Sequence, residues 1–188
     1  MTPGPELRTS RLVLRRWRDD DREPFAALNS DPAVMEFLPA ILTRAQSDAM
    51  IDRMEAAFEE RGFGFWAVEI AGGEPLIGFV GLSVPRFEAA FMPAVEIGWR
   101  LAAVHWGEGY ASEAARAALE FGFGVMELDE IVAYTTVRNA RSRAVMERIG
   151  MTRDVDGDFD YPPLPEGHPI RPQVLYRIAR ADMRDSED

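Results

Sequence analysis

The sequence of 188 residues contains no cysteine, no lysine and only two histidines. Without cysteine the chain has no disulfide, thiolate metal site or cysteine nucleophile, and two histidines are too few for a histidine-based metal site. All 21 basic residues are arginines against 32 acidic residues, and the net charge of −11 argues against nonspecific binding to nucleic acid or membranes. No apolar run is long enough to span a membrane, and the N-terminus lacks the apolar segment of a signal peptide. We therefore expect a cytoplasmic protein without a metal.

The composition fits one globular domain, residues 1–188, with an ordered core at about residues 8–182. Hydrophobic residues make up 47% and charged residues 28%, which is ordinary for a chain that buries a sizeable core. We find no internal repeat and no low-complexity segment, so the pattern predicts one core and not an array of repeats.

Helical and strand patterns follow one another along the chain. Pro32 is expected to break the first helical segment into two pieces. Thr43 followed by Gln46 predicts a capping box, which opens an amphipathic helix that ends at Gly62. Apolar runs of strand length follow, and the whole order predicts an α/β or α+β layered fold with mixed strand pairing.

The stretch HWGEGYASEAAR, His105 to Arg116, places Gly107 and Gly109 directly before an alanine-rich helical pattern. Glycine lets a ligand approach the backbone, and a helix N-terminus offers unpaired N–H groups with positive partial charge. The segment therefore suits a pyrophosphate, but a pair of glycines also marks ordinary turns, and both interpretations stay open. The spacing argues against a dinucleotide fingerprint, because its third glycine would fall on Ser112.

From about Arg11 to Arg180, and most strongly from Glu96 to Met151, the chain resembles the GNAT superfamily of acyl-CoA N-acyltransferases, and within it the ribosomal-protein N-terminal acetyltransferases. The superfamily signature Q/R-x-x-G-x-G/A falls on Trp106–Ala111, with tryptophan in the first place, as is usual in that branch. The later stretch VRNARSRAVMERIGM resembles the asparagine-serine helix of the branch. The resemblance implies a GNAT-like mixed, mostly antiparallel central sheet of about six to seven strands, with helices on both faces.

The resemblance also implies acetyl-CoA as cosubstrate. The amides of Trp106–Ala111 are expected to hold its pyrophosphate, while the pantetheine arm adds to the edge of the strand ending at Leu101. The Leu101 N–H would polarise the thioester carbonyl, and Asn139 would contact the cofactor arm or serve as a plain helix N-cap. The predicted cofactor-binding residues are Leu101, Ala103, Trp106, Gly107, Glu108, Gly109, Tyr110, Ala111, Asn139 and Arg143. A basic island forms either a solvated helix face or an anion site: Arg138, Arg141, Arg143 and Arg148.

Glu96 is the candidate catalytic base, because it lies within an apolar strand where a carboxylate is costly to bury without a purpose or a partner. The alternative is a structural ion pair between Glu96 and Arg100 on the same strand face. By resemblance, Ser142 is the candidate for protonating the leaving thiolate or for orienting a water molecule toward the leaving sulfur. Other family members use a tyrosine in that helix, and Tyr110 and Tyr134 do not lie at the matching position.

The segment DFDYPPLPEGHPIRPQVLY, Asp158 to Tyr176, resembles the loop and final strand that wall the acceptor pocket in this branch. Tyr161 and Gln173 stand where relatives often carry histidine, so no histidine role is carried over. His105 is expected to pack beside the glycines, and His168 lies in the loop within reach of a substrate. Four residues are candidates for the opposite wall, with core or surface packing as the alternative: Trp17, Glu36, Phe37 and Trp66.

The predicted function is transfer of an acetyl group from acetyl-CoA to a primary amine by direct attack. The acceptor is expected to be a protein N-terminus or a small-molecule amine, and nucleic acid and membranes are not expected as partners. The alternative is an acyl-CoA-binding or sensing module without turnover. A homodimer is expected only because dimers are common among such folds.

Overall fold

Between residues 5 and 184, which a computed structural model of the chain describes, eight strands form one sheet flanked by helices. Residues 1–4 and 185–188, the ends of the predicted domain, lie outside the described residues. The strands are β1 (Leu7–Arg8), β2 (Leu12–Arg15), β3 (Phe65–Ile70), β4 (Gly78–Ser83), β5 (Glu96–Leu101), β6 (Glu130–Thr136), β7 (Thr152–Asp160) and β8 (Pro172–Ala179). The helices are α1 (Arg22–Ser30), α2 (Pro32–Met35), α3 (Arg44–Arg61), α4 (Tyr110–Gly124), α5 (Ala140–Arg148) and α6 (Arg180–Arg184). Short 3-10 turns cover Asp19–Asp21 and Ala103–His105.

The strands are ordered β1-β2-β3-β4-β5-β6-β8-β7. All neighbours pair antiparallel except β5 and β6, which are parallel. The predicted mixed, mostly antiparallel sheet is confirmed, and so are helices on both faces, since two separate hydrophobic clusters flank it. The sheet has eight strands where about six to seven were expected, because β1 is only two residues long and shows no alternation that a pattern could reveal.

The helix boundaries follow from local signals. Thr43 and Gln46 form the predicted capping box: the Thr43 N–H donates to Gln46 Oε1 (2.8 Å), and the Gln46 N–H donates to Thr43 Oγ1 (3.3 Å). Gly62 ends α3 with φ of +77°, a conformation that glycine adopts without strain. The predicted break at Pro32 is confirmed, because α1 ends at Ser30 and α2 begins at the proline.

The sheet opens between its two parallel strands. A single pair, Glu96 with Val132, joins β5 to β6, and the Val132 N–H donates to the carbonyl of Val95 (2.9 Å). On its other side, β5 pairs with β4 along its whole length, from Glu96 to Leu101. Beyond Glu96 the two parallel strands therefore separate, and the edge of β5 faces a gap in the sheet.

Two absences hold for the described part of the chain. No helix between residues 5 and 184 is both long and apolar enough to cross a membrane. No three acidic, histidine or cysteine side chains within those residues come together as a metal site would require.

Candidate active site

A cavity of about 1000 Å³ opens where β5 and β6 separate. It brings together most of the residues that the sequence singled out, from β5, the glycine segment and the start of α5: Glu96, Leu101, Trp106, Gly107, Glu108, Gly109, Tyr110, Ala111, Asn139 and Ser142. Ala103 and Arg143 are not in this lining. Arg143 instead donates from Nε to the Tyr176 hydroxyl (3.3 Å) and from Nη1 to the Val137 carbonyl (3.2 Å).

The glycine segment places unpaired backbone N–H groups at one end of this cavity. Gly107 and Gly109 have φ of +86° and +81°, which side-chain-bearing residues rarely adopt. Gly109 is the N-cap of α4 and offers no side-chain cap. Because glycine has no side chain that could accept a hydrogen bond, the first N–H groups of this fifteen-residue helix receive no cap from the N-cap position. They also lie at the positive end of the helix dipole.

Arg11, directly before β2, holds the glycine segment in place. Its Nη1 donates to the Glu108 carbonyl (3.0 Å), and its Nε donates to Glu113 Oε2 (2.6 Å). Its guanidinium also lies 4.6 Å from the centre of the Tyr110 ring. Arg11 is not among the site residues predicted from the sequence, because it is distant in sequence from the segment that it fixes.

The pairing of β5 decides which of its backbone groups face the cavity. The Ala102 N–H donates to the Ile77 carbonyl on the β4 side (2.9 Å). Since hydrogen-bonding direction alternates along an antiparallel strand, the N–H groups of Trp99 and Leu101 point to the opposite side, where β6 has turned away. The Leu101 carbonyl faces the same way, because it accepts from Trp106 Nε1 (2.9 Å).

Glu96 marks the point where the cavity begins. It lines the cavity, and the Tyr134 hydroxyl on β6 donates a hydrogen bond to its carboxylate. Burial raises the pKa of Glu96 to about 7, and the bond from Tyr134 offsets part of that rise. The predicted structural pair with Arg100 does not form: no ion pair between these residues occurs in the described structure, and Arg100 donates to Asn29 Oδ1 instead. A carboxyl that is half ionised near neutral pH suits proton transfer.

Asn139 and Ser142 meet at the start of α5. Asn139 Oδ1 accepts from the Ser142 N–H (3.2 Å), which confirms the N-cap. Asn139 Nδ2 donates to Thr135 Oγ1 (3.0 Å) and to Ser142 Oγ (3.1 Å). Since the Ser142 oxygen accepts this bond, its own hydrogen remains free to point elsewhere, and both residues line the cavity.

A family model described as the acetyltransferase (GNAT) domain matches residues 11–152. The chain belongs to the GNAT acetyltransferases. The family match confirms the resemblance seen in the sequence. Together with relatives that are named N-acetyltransferases, it identifies the chain as an acyl-CoA-dependent N-acetyltransferase.

Relatives and solved structures agree with this family. A protein of Aspergillus fumigatus named FsC-acetyl coenzyme A-N(2)-transacetylase is 32% identical over 188 residues, covering 95% of this chain and 77% of that protein. The crystal structure of a GNAT-family acetyltransferase from Bacillus anthracis is 28% identical, with a TM-score of 0.78 over 94% of this chain and 99% of that one. The ribosomal α-N-protein acetyltransferase RimL in complex with coenzyme A has the same fold, with 17% identity and a TM-score of 0.73 over 93% of this chain and 98% of that one.

An aromatic cluster that was not predicted from the sequence reaches the Glu96 end of the cavity through Tyr134 and Tyr161. Five half-buried rings form it: Phe87, Phe91, Tyr134, Phe159 and Tyr161. The centre of the Tyr134 ring lies 5.6 Å from that of Phe87, 5.5 Å from that of Phe159 and 6.4 Å from that of Tyr161. Of these rings, Tyr134 and Tyr161 line the cavity together with Glu96, whose burial raises the pKa of its carboxyl.

Of the predicted acceptor-wall residues, Phe37, Tyr161 and Gln173 line the cavity. Trp17 and Trp66 are buried in the core, as their alternative interpretation stated. The remaining candidate, Glu36, forms an ion pair with Arg141, in which Oε2 lies 3.2 Å from Nη2. The Arg141 guanidinium also lies 4.2 Å from the centre of the Trp106 ring. The two histidines lie in different places. His105 lines the cavity, whereas His168 lies in the loop before β8, where its Nδ1 accepts from the Ile170 N–H (3.4 Å).

Proposed function

We propose that this GNAT acetyltransferase moves the acetyl group of acetyl-CoA directly to a primary amine, with Glu96 as the base. The observation that supports this most is the position of Glu96. It forms the last pair between β5 and β6, at the edge of the cavity, and burial raises its pKa to about 7. A carboxylate with that pKa can accept a proton at neutral pH. Its place where β5 and β6 separate gives a substrate amine access to it.

Acetyl-CoA fits the opposite side of the cavity. The uncapped N–H groups at the start of α4 and the glycines before it suit the pyrophosphate. The free N–H groups of Trp99 and Leu101 on β5 suit the amide-rich pantetheine arm, which would extend the sheet where β6 leaves it. In this arrangement the Leu101 N–H polarises the thioester carbonyl, and Trp106 fixes Leu101 by bonding to its carbonyl oxygen.

The reaction then needs two proton movements. The amine nitrogen forms a bond to the acetyl carbon and the carbon–sulfur bond breaks, so the nitrogen gives a proton to Glu96 and the sulfur leaves as a thiolate. Ser142 delivers a proton to the thiolate and regains one from solvent. Its hydroxyl is oriented for this by the bond from Asn139 Nδ2 (3.1 Å), which leaves its hydrogen free.

The acceptor is a protein N-terminus or a small-molecule amine. The rings of Tyr134 and Tyr161, which line the cavity together with Glu96, support a neutral amine at this place, because a low-polarity wall disfavours the ammonium form that cannot attack. Burial also keeps the Glu96 carboxyl half ionised near neutral pH, which suits it to accept a proton from the amine.

The first test is thermal unfolding with and without acetyl-CoA, with NAD as the control ligand. Acetyl-CoA at a hundred times its dissociation constant adds about 2.7 kcal/mol, which for a chain of this size is a rise in Tm of about 5–11 °C. An equal shift with NAD, or no shift with acetyl-CoA, would contradict the proposal.

The second test separates binding from turnover. Glu96→Gln is expected to keep the acetyl-CoA shift and to lower kcat about a hundredfold or more, measured by mass spectrometry of the acetylated amine. Glu120→Gln, an exposed carboxyl on α4 outside the cavity, is the matched control and is expected to keep wild-type turnover. Binding without turnover on any amine would favour the sensing module, and full activity in Glu96→Gln would remove Glu96 as the base.

A further inference from the structure

Arg15 is buried and Arg100 is half-buried, and of the two only Arg15 has anionic partners. The Arg15 guanidinium bonds both oxygens of Asp21 (2.8 and 2.9 Å) and one oxygen of Glu69 (2.7 Å). Arg100 makes no ion pair with any residue between 5 and 184; its Nη1 donates to Asn29 Oδ1, and its Nε is buried without an acceptor. Burying a guanidinium without an anion is costly, so Arg100 is a cation that lacks its counter-ion.

The surroundings of Arg100 hold it rigidly but leave its charge uncompensated. Asn29 is fully buried, and its Nδ2 donates to Ser47 Oγ (2.8 Å), so its oxygen is directed at Arg100. The guanidinium also lies 5.2 Å from the centre of the Phe79 ring. Burial lowers the pKa of Arg100 to about 10, which still leaves the group charged at neutral pH.

Arg100 and Glu96 lie on the same face of β5, and both line the cavity. Four residue-to-residue steps along the strand separate their Cα atoms by ~13 Å. Gly98 lies between them on that face, and the Phe65 ring covers it, 3.2 Å from where a Cβ would stand, so the floor between the two charges is apolar. The acceptor side thus presents a carboxylate at one end and a guanidinium at the other.

We propose that Arg100 binds a carboxylate on the acceptor, so that the substrate is an amine that also carries an acid group several bonds away. The inference rests on the proposed function, because Glu96 defines where the amine lies. The planar guanidinium fork suits a carboxylate. The two side chains are four residue steps apart on β5 and form no ion pair, and Arg100 is directed at Asn29, so the arrangement favours an ω-amino acid over an α-amino acid, whose acid group is adjacent to the amine.

The test compares acceptors that differ only in charge. The compounds are straight-chain ω-amino acids, in which methylene groups of increasing number separate the amine from the carboxylate. Each is paired with its primary amide and assayed for acetylation at neutral pH. A charged hydrogen bond to a buried group changes kcat/KM by about ten- to a hundredfold, so we expect the acid to exceed its amide by that factor at the chain lengths that span the floor. The shortest member, glycine, is expected to show no such preference.

Variants of Arg100 then assign the preference to this residue. Arg100→Met is expected to bring the ratio of acid to amide close to one, and Arg100→Lys is expected to keep part of the preference, because it keeps the charge without the planar fork. The matched control is Arg44→Met, which removes one positive charge from an exposed ion pair on α3 outside the cavity. This control is expected to retain the wild-type ratio.

The outcomes separate this inference from the function on which it rests. If acetyl-CoA raises the Tm and amines are acetylated, but acid and amide react equally in the wild type, the role of Arg100 is overturned. The role is also overturned if Arg100→Met keeps the preference, or if acetyl-CoA binds and no compound of the series is acetylated. If acetyl-CoA does not bind at all, the proposed function itself fails first. The wild-type comparison holds even if Arg100→Met does not fold.

Discussion

The two sides of the cavity present different kinds of chemical group, main-chain groups on one side and side chains on the other. On the α4 side, the groups that face the cavity are main-chain N–H groups, positioned by Gly107 and Gly109 and by the first turn of a helix. On the acceptor side they are side chains from separate elements, Glu96 on β5 and Tyr134 on β6 among them. The first side depends on backbone conformation, whereas the second depends on which strands come together.

This difference has a physical consequence for substitution. A site made of backbone groups tolerates most changes of side chain but not the loss of a residue that permits its conformation. A site made of side chains keeps its backbone under substitution but changes its chemistry. One side of the enzyme is therefore suited to a constant ligand, and the other to an acceptor that differs between relatives.

The largest effect is expected from breaking the backbone-built side with Gly109→Val. A β-branched residue is strained at φ of +81°, so the start of α4 must move. We expect acetyl-CoA to bind about ten- to a hundredfold more weakly, by analogy with a cost of about 1–3 kcal/mol for a strained residue, measured by calorimetry. Gly124→Ala is the control, because its Cβ meets nothing within 4 Å and its φ is not positive. Unchanged affinity in Gly109→Val would show that the loop conformation does not matter for binding.

The second effect concerns the side-chain-built side and is a pH profile. Glu96 acts as a base only when ionised, and its pKa is raised to about 7. Below that pH, kcat/KM, corrected for the neutral fraction of the acceptor amine, is expected to fall about tenfold per pH unit, and above it to level off. Glu120→Gln is expected to give the same profile. A corrected rate that is flat between about pH 5 and 8 would exclude Glu96 as the titrating group.

The sequence was sufficient for the features that are local. Thr43 with Gln46, Gly62 and the N-cap Asn139 were each predicted from neighbouring residues, because caps and turns are satisfied within a few positions. The position of Gly109 at the start of α4 was predicted for the same reason. The opening between β5 and β6 was expected only through the family resemblance, since no pattern among neighbouring residues indicates where two strands stop pairing.

The sequence was insufficient where distant residues meet. Tyr134 was set aside because it does not lie in α5, yet strand pairing brings it to Glu96. Arg100 was considered only as a partner of Glu96, because the two share a strand face, and the structure gives it Asn29 from α1 instead. The aromatic cluster draws on residues from the β4–β5 connection to the loop after β7, and no single window of sequence contains it.

A smaller effect is expected from Tyr134→Phe. The Tyr134 hydroxyl lowers the pKa of Glu96 by donating to its carboxylate, so its removal raises that pKa further and moves the acid limb to higher pH. We expect a decrease of a few-fold in kcat/KM at about pH 7 that disappears at about pH 9. Tyr161→Phe is the matched control, because it removes a hydroxyl from the same cluster without removing that hydrogen bond. A decrease that is independent of pH would instead indicate a role of Tyr134 in binding.

The smallest effect is expected at the ion pair that crosses between the two sides, Arg141 on α5 with Glu36 after α2. Both side chains are about half exposed, at 56% and 51%, so water screens the pair and ordering the two chains offsets its attraction. Glu36→Gln is therefore expected to change the free energy of unfolding by less than about 1 kcal/mol, measured by urea unfolding at low and high salt. The contact of Arg141 with the Trp106 ring survives the substitution, since it does not need the carboxylate. A tenfold change in KM for either substrate in Glu36→Gln would show that the two sides do not act separately. The ion pair between Arg141 and Glu36 would then contribute to substrate binding.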